Sequence, residues 1–113
     1  MKFTKTKLNG AYIIDIEKRE DERGFFARTF CANEFAEYEL DNKFVQANMS
    51  FNYKKGTLRG MHFSESEGKL VRCTRGAIYD VVVDLRRESS TYCQWLGIEL
   101  NEENRHALYI PPG

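Results

Sequence analysis

The feature that most constrains the fold is the close spacing of turn signals along a chain whose apolar and polar residues alternate. Lys-Gly, Glu-Gly, Arg-Gly, Ser-Ser and Asn-Glu-Glu-Asn sequences recur at intervals of about ten residues. Segments of this length suit strands better than helices, and alternation places every second side chain on the same face of a strand. The pattern therefore predicts an antiparallel β-sandwich or barrel.

Eight strands and one helix are expected. The predicted strands cover residues 11–16, 25–30, 44–53, 58–63, 69–74, 77–85, 94–100 and 106–110. Residues 33–40 form the one plausible helix, because their apolar side chains have roughly helical spacing. We expect a core that contains Val81, Val83, Leu85, Leu70 and either Leu58 or Met61.

The segment 77–85 is almost continuously apolar, which predicts a central strand buried on both faces. Asp80 and Asp84 lie on this segment, and a lone buried carboxylate is unfavourable. We therefore expect both carboxylates to have partners. The candidates are Arg72, Arg75, Arg86 and His62.

Length and composition limit the class of protein. The chain has 113 residues, enough for one domain and its core, and 17 basic residues balance 17 acidic ones. This balance argues against a dedicated nucleic-acid binder. No apolar run is long enough to span a membrane or to form a signal peptide. The three cysteines have no C-x-x-C spacing, so we expect reduced thiols and a cytoplasmic protein.

Polar side chains alternate along the predicted strand 44–53. Gln46, Asn48, Ser50 and Asn52 fall on one of its faces. One interpretation is a half-buried strand whose polar face meets water. The other is that the amides line the interior of a barrel and bind a ligand, since each amide offers both a donor and an acceptor.

The segment from Gly56 to Phe63, followed by residues 69–72, carries the most chemistry. It brings His62 close in sequence to Arg59, Lys69 and Arg72. A histidine that accepts a proton, beside cations that stabilise an oxyanion, is what proton removal next to a carbonyl requires. The pattern therefore indicates an enzyme that acts on a phosphorylated small molecule with a carbonyl group.

His62 also has two other interpretations, a structural histidine and a metal ligand. The only other histidine, His106, is far away in sequence, and there is no H-x-H pair. Two widely spaced ligands do not fill a coordination shell, so we predict no metal and no cofactor. On a regular strand Arg59 and His62 would face opposite sides, so we expect Gly60 to mark an irregularity that brings them together.

At these segments the chain closely resembles the dTDP-4-dehydrorhamnose 3,5-epimerase family of deoxysugar biosynthesis. The matching stretches run from end to end of the chain: Asp21–Phe26, Val45–Ser50, Gly56–Phe63, Lys69–Cys73, Gly76–Arg86 and Leu108–Gly113. The resemblance implies a metal-free cupin-type jelly roll, and a homodimer in which residues 25–30 or the preceding strand lie near the interface. It also implies a carbohydrate epimerase that acts on a dTDP-4-keto-6-deoxy sugar, with no nucleic-acid or membrane partner.

The resemblance also implies roles for individual residues. His62 matches the catalytic base, and Lys69 matches the lysine that stabilises the enolate oxygen. Arg59 matches an arginine at the diphosphate and sugar of the substrate. Nucleotide-binding positions are matched by Arg23, Phe26, Gln46 and Asn48, and we add Ser50 to the substrate-binding set because it lies on the same face as the amides.

The chain departs from the family pattern in three places. Arg28 stands where characterised members have a glutamate that contacts the nucleotide. The loop 64–68 is shorter and carries two glutamates. The chain ends at Gly113, before the family's tyrosine acid and the carboxylate that pairs with the base. We therefore expect residues 1–113 to be a single jelly-roll domain, the N-terminal two-thirds of a full one, and the fragment alone to be inactive.

Two other functions stay open at this stage. One is a sugar-nucleotide-binding relative that has diverged or lost catalysis, and the other is a keto-sugar isomerase. The residues do not distinguish which nucleotide sugar is used, or whether C3, C5 or both carbons are epimerised.

Overall fold

The computed structural model describes every residue from Met1 to Gly113. Its elements in chain order are β1 (Lys2–Lys5), β2 (Tyr12–Asp15), β3 (Arg19–Asp21), β4 (Gly24–Phe26), α1 (Ala32–Glu37), β5 (Lys69–Arg72), β6 (Ala77–Val83), β7 (Trp95–Asn101) and β8 (Ala107–Ile110). All strand pairs are antiparallel. They form a four-stranded sheet in the order β1-β2-β8-β5 and two two-stranded sheets, β3-β4 and β6-β7. The predicted antiparallel β fold is confirmed.

Strand β8 is one of the two inner strands of the four-stranded sheet and is buried on both faces. Tyr109 is paired with Tyr12 on one side and with Leu70 on the other. Ala107, Leu108 and Tyr109 are all at most 3% exposed. The last strand of the chain therefore joins its N-terminal strands to β5.

Each face of this sheet packs against a different cluster. One face carries Tyr12, Ile14, Ala107 and Tyr109, which pack with Phe35 of α1 and with Leu40. The other face contributes Leu108, and the sheet β6-β7 covers it with Leu100, Ile98, Ile78 and Val82. We call the space between the four-stranded sheet and β6-β7 the sandwich interior. It is the side of the sheet on which Val71 and Ile110 also pack.

Helix α1 is short and is held by aromatic packing. Phe35 is fully buried and makes edge-to-face contacts with Phe3, Phe30, Phe44 and Tyr109. An isolated helix of six residues is unstable in water, so these contacts stabilise it. The predicted helix over 33–40 is confirmed with different ends. The single helix is too short to cross a membrane.

Two predicted strands are wrong. Residues 44–53 and 58–63 have no strand structure. Only two hydrogen bonds from backbone N–H groups to backbone carbonyls involve residues 44–68, Thr57 to Lys54 and Gly113 to Ser64. Alternation favours a strand only where another strand satisfies its backbone groups, and no other strand lies beside this segment. The strand predicted at 25–30 ends at Phe26 for the same reason. Five other predicted strands, which begin at residues 11, 69, 77, 94 and 106, are present with ends shifted by up to two residues.

The interpretation of 77–85 as a central strand is also wrong. Strand β6 pairs with β7 alone, and its side chains are exposed or half-buried. Of the predicted core residues, Leu70 packs against the first cluster, and Val81 and Val83 are only half-buried. The remaining three, Leu85, Leu58 and Met61, are exposed. An apolar run records hydrophobicity, but sheet order decides which strand is covered on both sides.

Asp84 follows β6 and is the one buried charged side chain, 4% exposed. Arg86 donates to Asp84 through Nε and Nη2, each at 2.9 Å. The hydroxyls of Ser89 and Thr91 each donate at 2.6 Å to Asp84 Oδ2. Of the partners expected for Asp84, Arg86 is confirmed. The Arg86 guanidinium and these hydroxyls hold the pKa of Asp84 far below its usual range, because they stabilise the charged form.

Replacing Asp84 by Asn should destabilise the fold by about 3 kcal/mol at neutral pH, because Arg86 loses its buried counter-charge. The folded pKa lies below the unfolded value. The ionised carboxylate of Asp84 therefore stabilises the fold above roughly pH 4, and this contribution is lost as the pH falls through the folded pKa. Denaturant melts at pH 7 and pH 3 should show a gap between the native protein and D84N that narrows in acid. The exposed neighbour Glu88 supplies the control E88Q, and an equal loss in both variants would contradict the prediction.

Candidate functional site

Lys69 begins strand β5 and is half-buried. Val71, two residues further along the strand, packs into the sandwich interior, and so does Ile110, which is paired with Lys69 on β8. Side chains two apart share a face, so Lys69 also lies on the interior side of its strand. Its ammonium makes no ion pair and no hydrogen bond with the protein.

Arg59 and His62 lie in the irregular segment 58–63 and are both exposed. Arg59 donates from Nε to the side-chain oxygen of Asn52 at 2.5 Å and from Nη2 to the Phe51 carbonyl at 3.1 Å. His62 has no hydrogen-bond partner. Gly60 has φ of +118°, a conformation that other residues rarely adopt, so the irregularity expected between Arg59 and His62 is present.

The polar residues Gln46, Asn48 and Ser50 are exposed and make no hydrogen bonds to the protein. The strand that would have placed them inside a barrel is absent, so these residues do not line the sandwich interior. Asn52 is different, because it orients Arg59. The segment that carries these amides also exposes Val45, Met49 and Tyr53 almost completely.

The β3-β4 hairpin carries Arg23 and Phe26. Arg23 is paired with Asp21 at 2.6 Å, which lowers the pKa of Asp21, and Phe26 is 73% exposed. Beyond the hairpin, Arg28 donates to Glu34 of α1 at 2.6 Å. Arg28 is therefore already paired with an acidic side chain in this structure.

The sequence did not point to Glu34 as part of this region, and it did not predict the contacts of Arg72. Glu34 accepts from Arg28 and from the Met1 amine, and these hydrogen bonds lower its pKa. Arg72 donates to the Thr29 carbonyl at 2.8 Å while its Nε is buried without a partner, and burial lowers its pKa. Both tie the segment after β4 to other elements. Helical spacing and strand alternation describe neighbours along the chain, so they carry no signal for contacts between residues far apart in sequence.

The structure does not bring the predicted site residues into contact. No hydrogen bond or ion pair joins His62, Lys69 and Arg59 to one another. No group of three or more His, Cys, Asp or Glu side chains could hold a metal ion. The described arrangement is thus a half-buried lysine in a sandwich interior, with a histidine, an arginine and amides on an exposed neighbouring segment.

The fold matches proteins of known structure. The structure superimposes with a TM-score of 0.92 on dTDP-4-dehydrorhamnose 3,5-epimerase from Elizabethkingia anophelis, which is 42% identical, over 100% of this chain and 63% of that chain. The epimerase of Legionella pneumophila, solved with dTDP-4-keto-L-rhamnose, gives a TM-score of 0.89 at 38% identity, over 99% of this chain and 61% of that one. The chain therefore has the cupin-like jelly-roll fold of deoxysugar epimerases.

Sequence comparison identifies the family itself. The family model described as dTDP-4-dehydrorhamnose 3,5-epimerase matches residues 5–113. The epimerase of Methanothermobacter thermautotrophicus is 49% identical over 114 residues, 99% of this chain and 61% of that protein. This chain belongs to the dTDP-4-dehydrorhamnose 3,5-epimerase family. It spans about three-fifths of the length of the relatives it matches.

The absence of a metal requirement stays a prediction. His62 and His106 lie in different segments, and His106 Nε2 lies 2.8 Å from Asp15 Oδ1. Elemental analysis of the full-length protein should therefore find zinc, iron and manganese far below one atom per chain. Incubation with a chelator should leave its activity unchanged. Stoichiometric metal together with loss of activity on chelation would contradict this prediction.

Proposed function

We propose that this chain belongs to an enzyme that epimerises a dTDP-4-keto-6-deoxy sugar by removing protons from carbons next to the keto group. Membership of the epimerase family over residues 5–113 is the observation that carries this proposal. The Legionella relative was solved with dTDP-4-keto-L-rhamnose. We further propose that residues 1–113 are part of one jelly-roll domain, since they cover 61% of the relative from Methanothermobacter.

His62 is the proposed base. The C–H bond next to the keto group breaks, and its proton moves to the imidazole. The electron pair of that bond forms a C=C bond, and the π pair of the carbonyl moves onto the keto oxygen to give an enolate. The exposure of His62 and its lack of a protein partner support this role, because its ring is free to meet a substrate. A positioned base contributes ~10²–10⁴-fold to such a step.

Lys69 is proposed to stabilise the enolate oxygen. Its half-buried position supports the role, because an ammonium in a partly desolvated site stabilises a developing negative charge more strongly than one in water. Arg59 is proposed to hold the diphosphate or sugar. Its two donated hydrogen bonds support this, because they restrict the guanidinium before substrate arrives.

The remaining substrate contacts are assigned to exposed side chains that take no part in the core. They are Arg23, Phe26, Arg28, Gln46, Asn48 and Ser50. To contact the nucleotide, Arg28 would have to break or share its ion pair with Glu34. The exposed ring of Phe26 offers a flat apolar surface on which the nucleobase of the substrate can stack.

A cytoplasmic location is part of the proposal. Cys31, Cys73 and Cys93 are all free thiols, which suits a reducing compartment. A nucleotide sugar as the substrate also fits such an enzyme, with no nucleic-acid or membrane partner required.

Replacing His62 by Ala in the full-length protein should abolish deuterium incorporation at the sugar carbons and leave dTDP affinity nearly unchanged. The base meets the reacting carbons and not the nucleotide. The assay is incubation with dTDP-4-keto-6-deoxyglucose in deuterated water, with deuterons counted by mass spectrometry, which also reports how many carbons exchange. R59A is the contrasting variant and should weaken dTDP binding. Exchange at the native rate in H62A would overturn the mechanism.

Replacing Lys69 by Ala should slow exchange by ~10²-fold or more, as expected for the loss of one preorganised oxyanion partner. Substrate affinity should change much less, because the charge it meets develops during the reaction. The matched control is K54A, which replaces an exposed lysine whose backbone carbonyl accepts a hydrogen bond from the Thr57 N–H. Equal losses in K69A and K54A would argue against a specific role.

The protein is proposed to be a homodimer with the β3-β4 hairpin near the interface. Phe25 and Phe26 are exposed there, and the hairpin pairs with no other strand of the chain. Unpaired strand edges and exposed aromatic rings favour association. Sedimentation velocity of the full-length protein at micromolar concentration should give a dimer. F26D should weaken the dimer, whereas K54D should not, and a monomeric native protein would refute the proposal.

A further inference from the structure

Asp80 is an acidic side chain of the sandwich interior that makes no ion pair. It lies on β6 between Ile78 and Val82, which pack against the cluster of Cys73, Leu100 and Leu108. Alternation along the strand places Asp80 on the same face as these two residues. Its Oδ2 atom is buried and accepts no hydrogen bond.

The partners considered for Asp80 from the sequence do not reach it. Arg86 is bound to Asp84, and Arg72 donates to the Thr29 carbonyl. Burial accordingly raises the pKa of the Asp80 carboxyl above its ordinary value. An unsatisfied buried carboxylate oxygen is unfavourable for folding, so its presence calls for a reason outside folding.

Lys69 is the unpaired cation that faces the same interior. It lies on β5 in line with Val71 and Cys73, and both of these residues pack against the cluster that Ile78 and Val82 cover. The short connection 73–76 joins β5 directly to β6, and side chains of both strands pack on one cluster. Lys69 lies three residues before the end of β5, and Asp80 lies three residues after the start of β6. This equal spacing about the connection is the basis for placing the two residues on opposite sides of the interior. A lysine side chain is long and flexible enough to cross toward such a position.

We propose that Asp80 is the positioning residue for Lys69, a carboxylate across the sandwich interior that keeps the ammonium charged and aimed at the oxygen of the substrate's keto group. The inference rests on the proposed function, in which Lys69 stabilises the enolate. Asp80 exchanges no proton with the substrate in this scheme. Its effect on the reaction passes through Lys69.

Three other titratable groups near this interior do not replace Asp80. Asp84 is saturated by Arg86, Ser89 and Thr91. Cys73 donates from its thiol to the Arg75 carbonyl. Glu99 of β7 is exposed and accepts from Asn101, so it lies on the outer face of the same two-stranded sheet.

The direct test is the alkaline titration of the Lys69 ammonium followed by NMR in the full-length protein, with the signal assigned by its loss in K69R. In D80N the midpoint should move to lower pH by about one unit, because a nearby carboxylate favours the charged lysine. E99Q removes the same charge from the opposite face and should leave the midpoint unchanged. An unshifted midpoint in a folded D80N protein would overturn the proposal.

The kinetic test asks whether Asp80 acts through Lys69. D80N should lower kcat for deuterium exchange by about tenfold or more with little change in KM, because it displaces a group that acts on the transition state. D80E should restore part of the rate. In a K69A background D80N should cause no further loss, and additive losses would overturn the proposal.

The two proposals fail in distinguishable ways. If D80N exchanges deuterium at the native rate while H62A does not, the role of Asp80 is wrong and the epimerase mechanism stands. If the native protein exchanges no deuterium, the proposed function fails, and the NMR titration still decides whether Asp80 and Lys69 are paired. If D80N does not fold, D80S supplies the titration. A Lys69 midpoint about one unit lower than in the native protein supports the pair, and an unshifted midpoint overturns it.

Discussion

The whole structure depends on the burial of strand β8 on both of its faces. Ala107 and Tyr109 complete the cluster around Phe35, and Leu108 completes the cluster beneath β6-β7. Its backbone pairs with β2 and β5 on its two sides. A strand so placed takes part in the packing of both layers, and it joins parts of the chain that are about a hundred residues apart in sequence.

This arrangement also separates the chain into a well-packed and an open part. The residues that support the fold, such as Ile14, Phe35 and Leu108, lie in the two clusters. The segment 44–63 carries exposed apolar side chains and almost no backbone pairing. Most of the proposed substrate contacts lie on this segment or on the β3-β4 hairpin, and Arg28 follows the hairpin. Lys69 and its proposed positioning residue Asp80 lie on strands of the packed part, and rigid strands position charges more accurately than loops.

The contrast between Asp80 and Asp84 shows how position alone assigns different tasks to the same residue type. Both lie on or just after β6, four residues apart. Asp84 receives a guanidinium and two hydroxyls, so its charge stabilises the fold. Asp80 receives none of these and retains a buried oxygen without a donor. Perturbed carboxylates without a structural partner are frequent at functional sites, which supports a role for Asp80 beside Lys69.

The sequence by itself determined the β class, the helix around Phe35, most strand positions and the family, because these depend on alternation, turn residues and local motifs. It also determined which residue types carry the chemistry, among them His62 and Lys69. Only the tertiary structure decided that β8 and not β6 is an inner strand buried on both faces, and that residues 44–53 and 58–63 are unpaired. Local patterns record which face of a segment is apolar, but a strand exists only where a neighbour satisfies its backbone. The partners of Arg28, Asp80 and Asp84 were decided in the same way, because charge pairing depends on which elements the fold brings together.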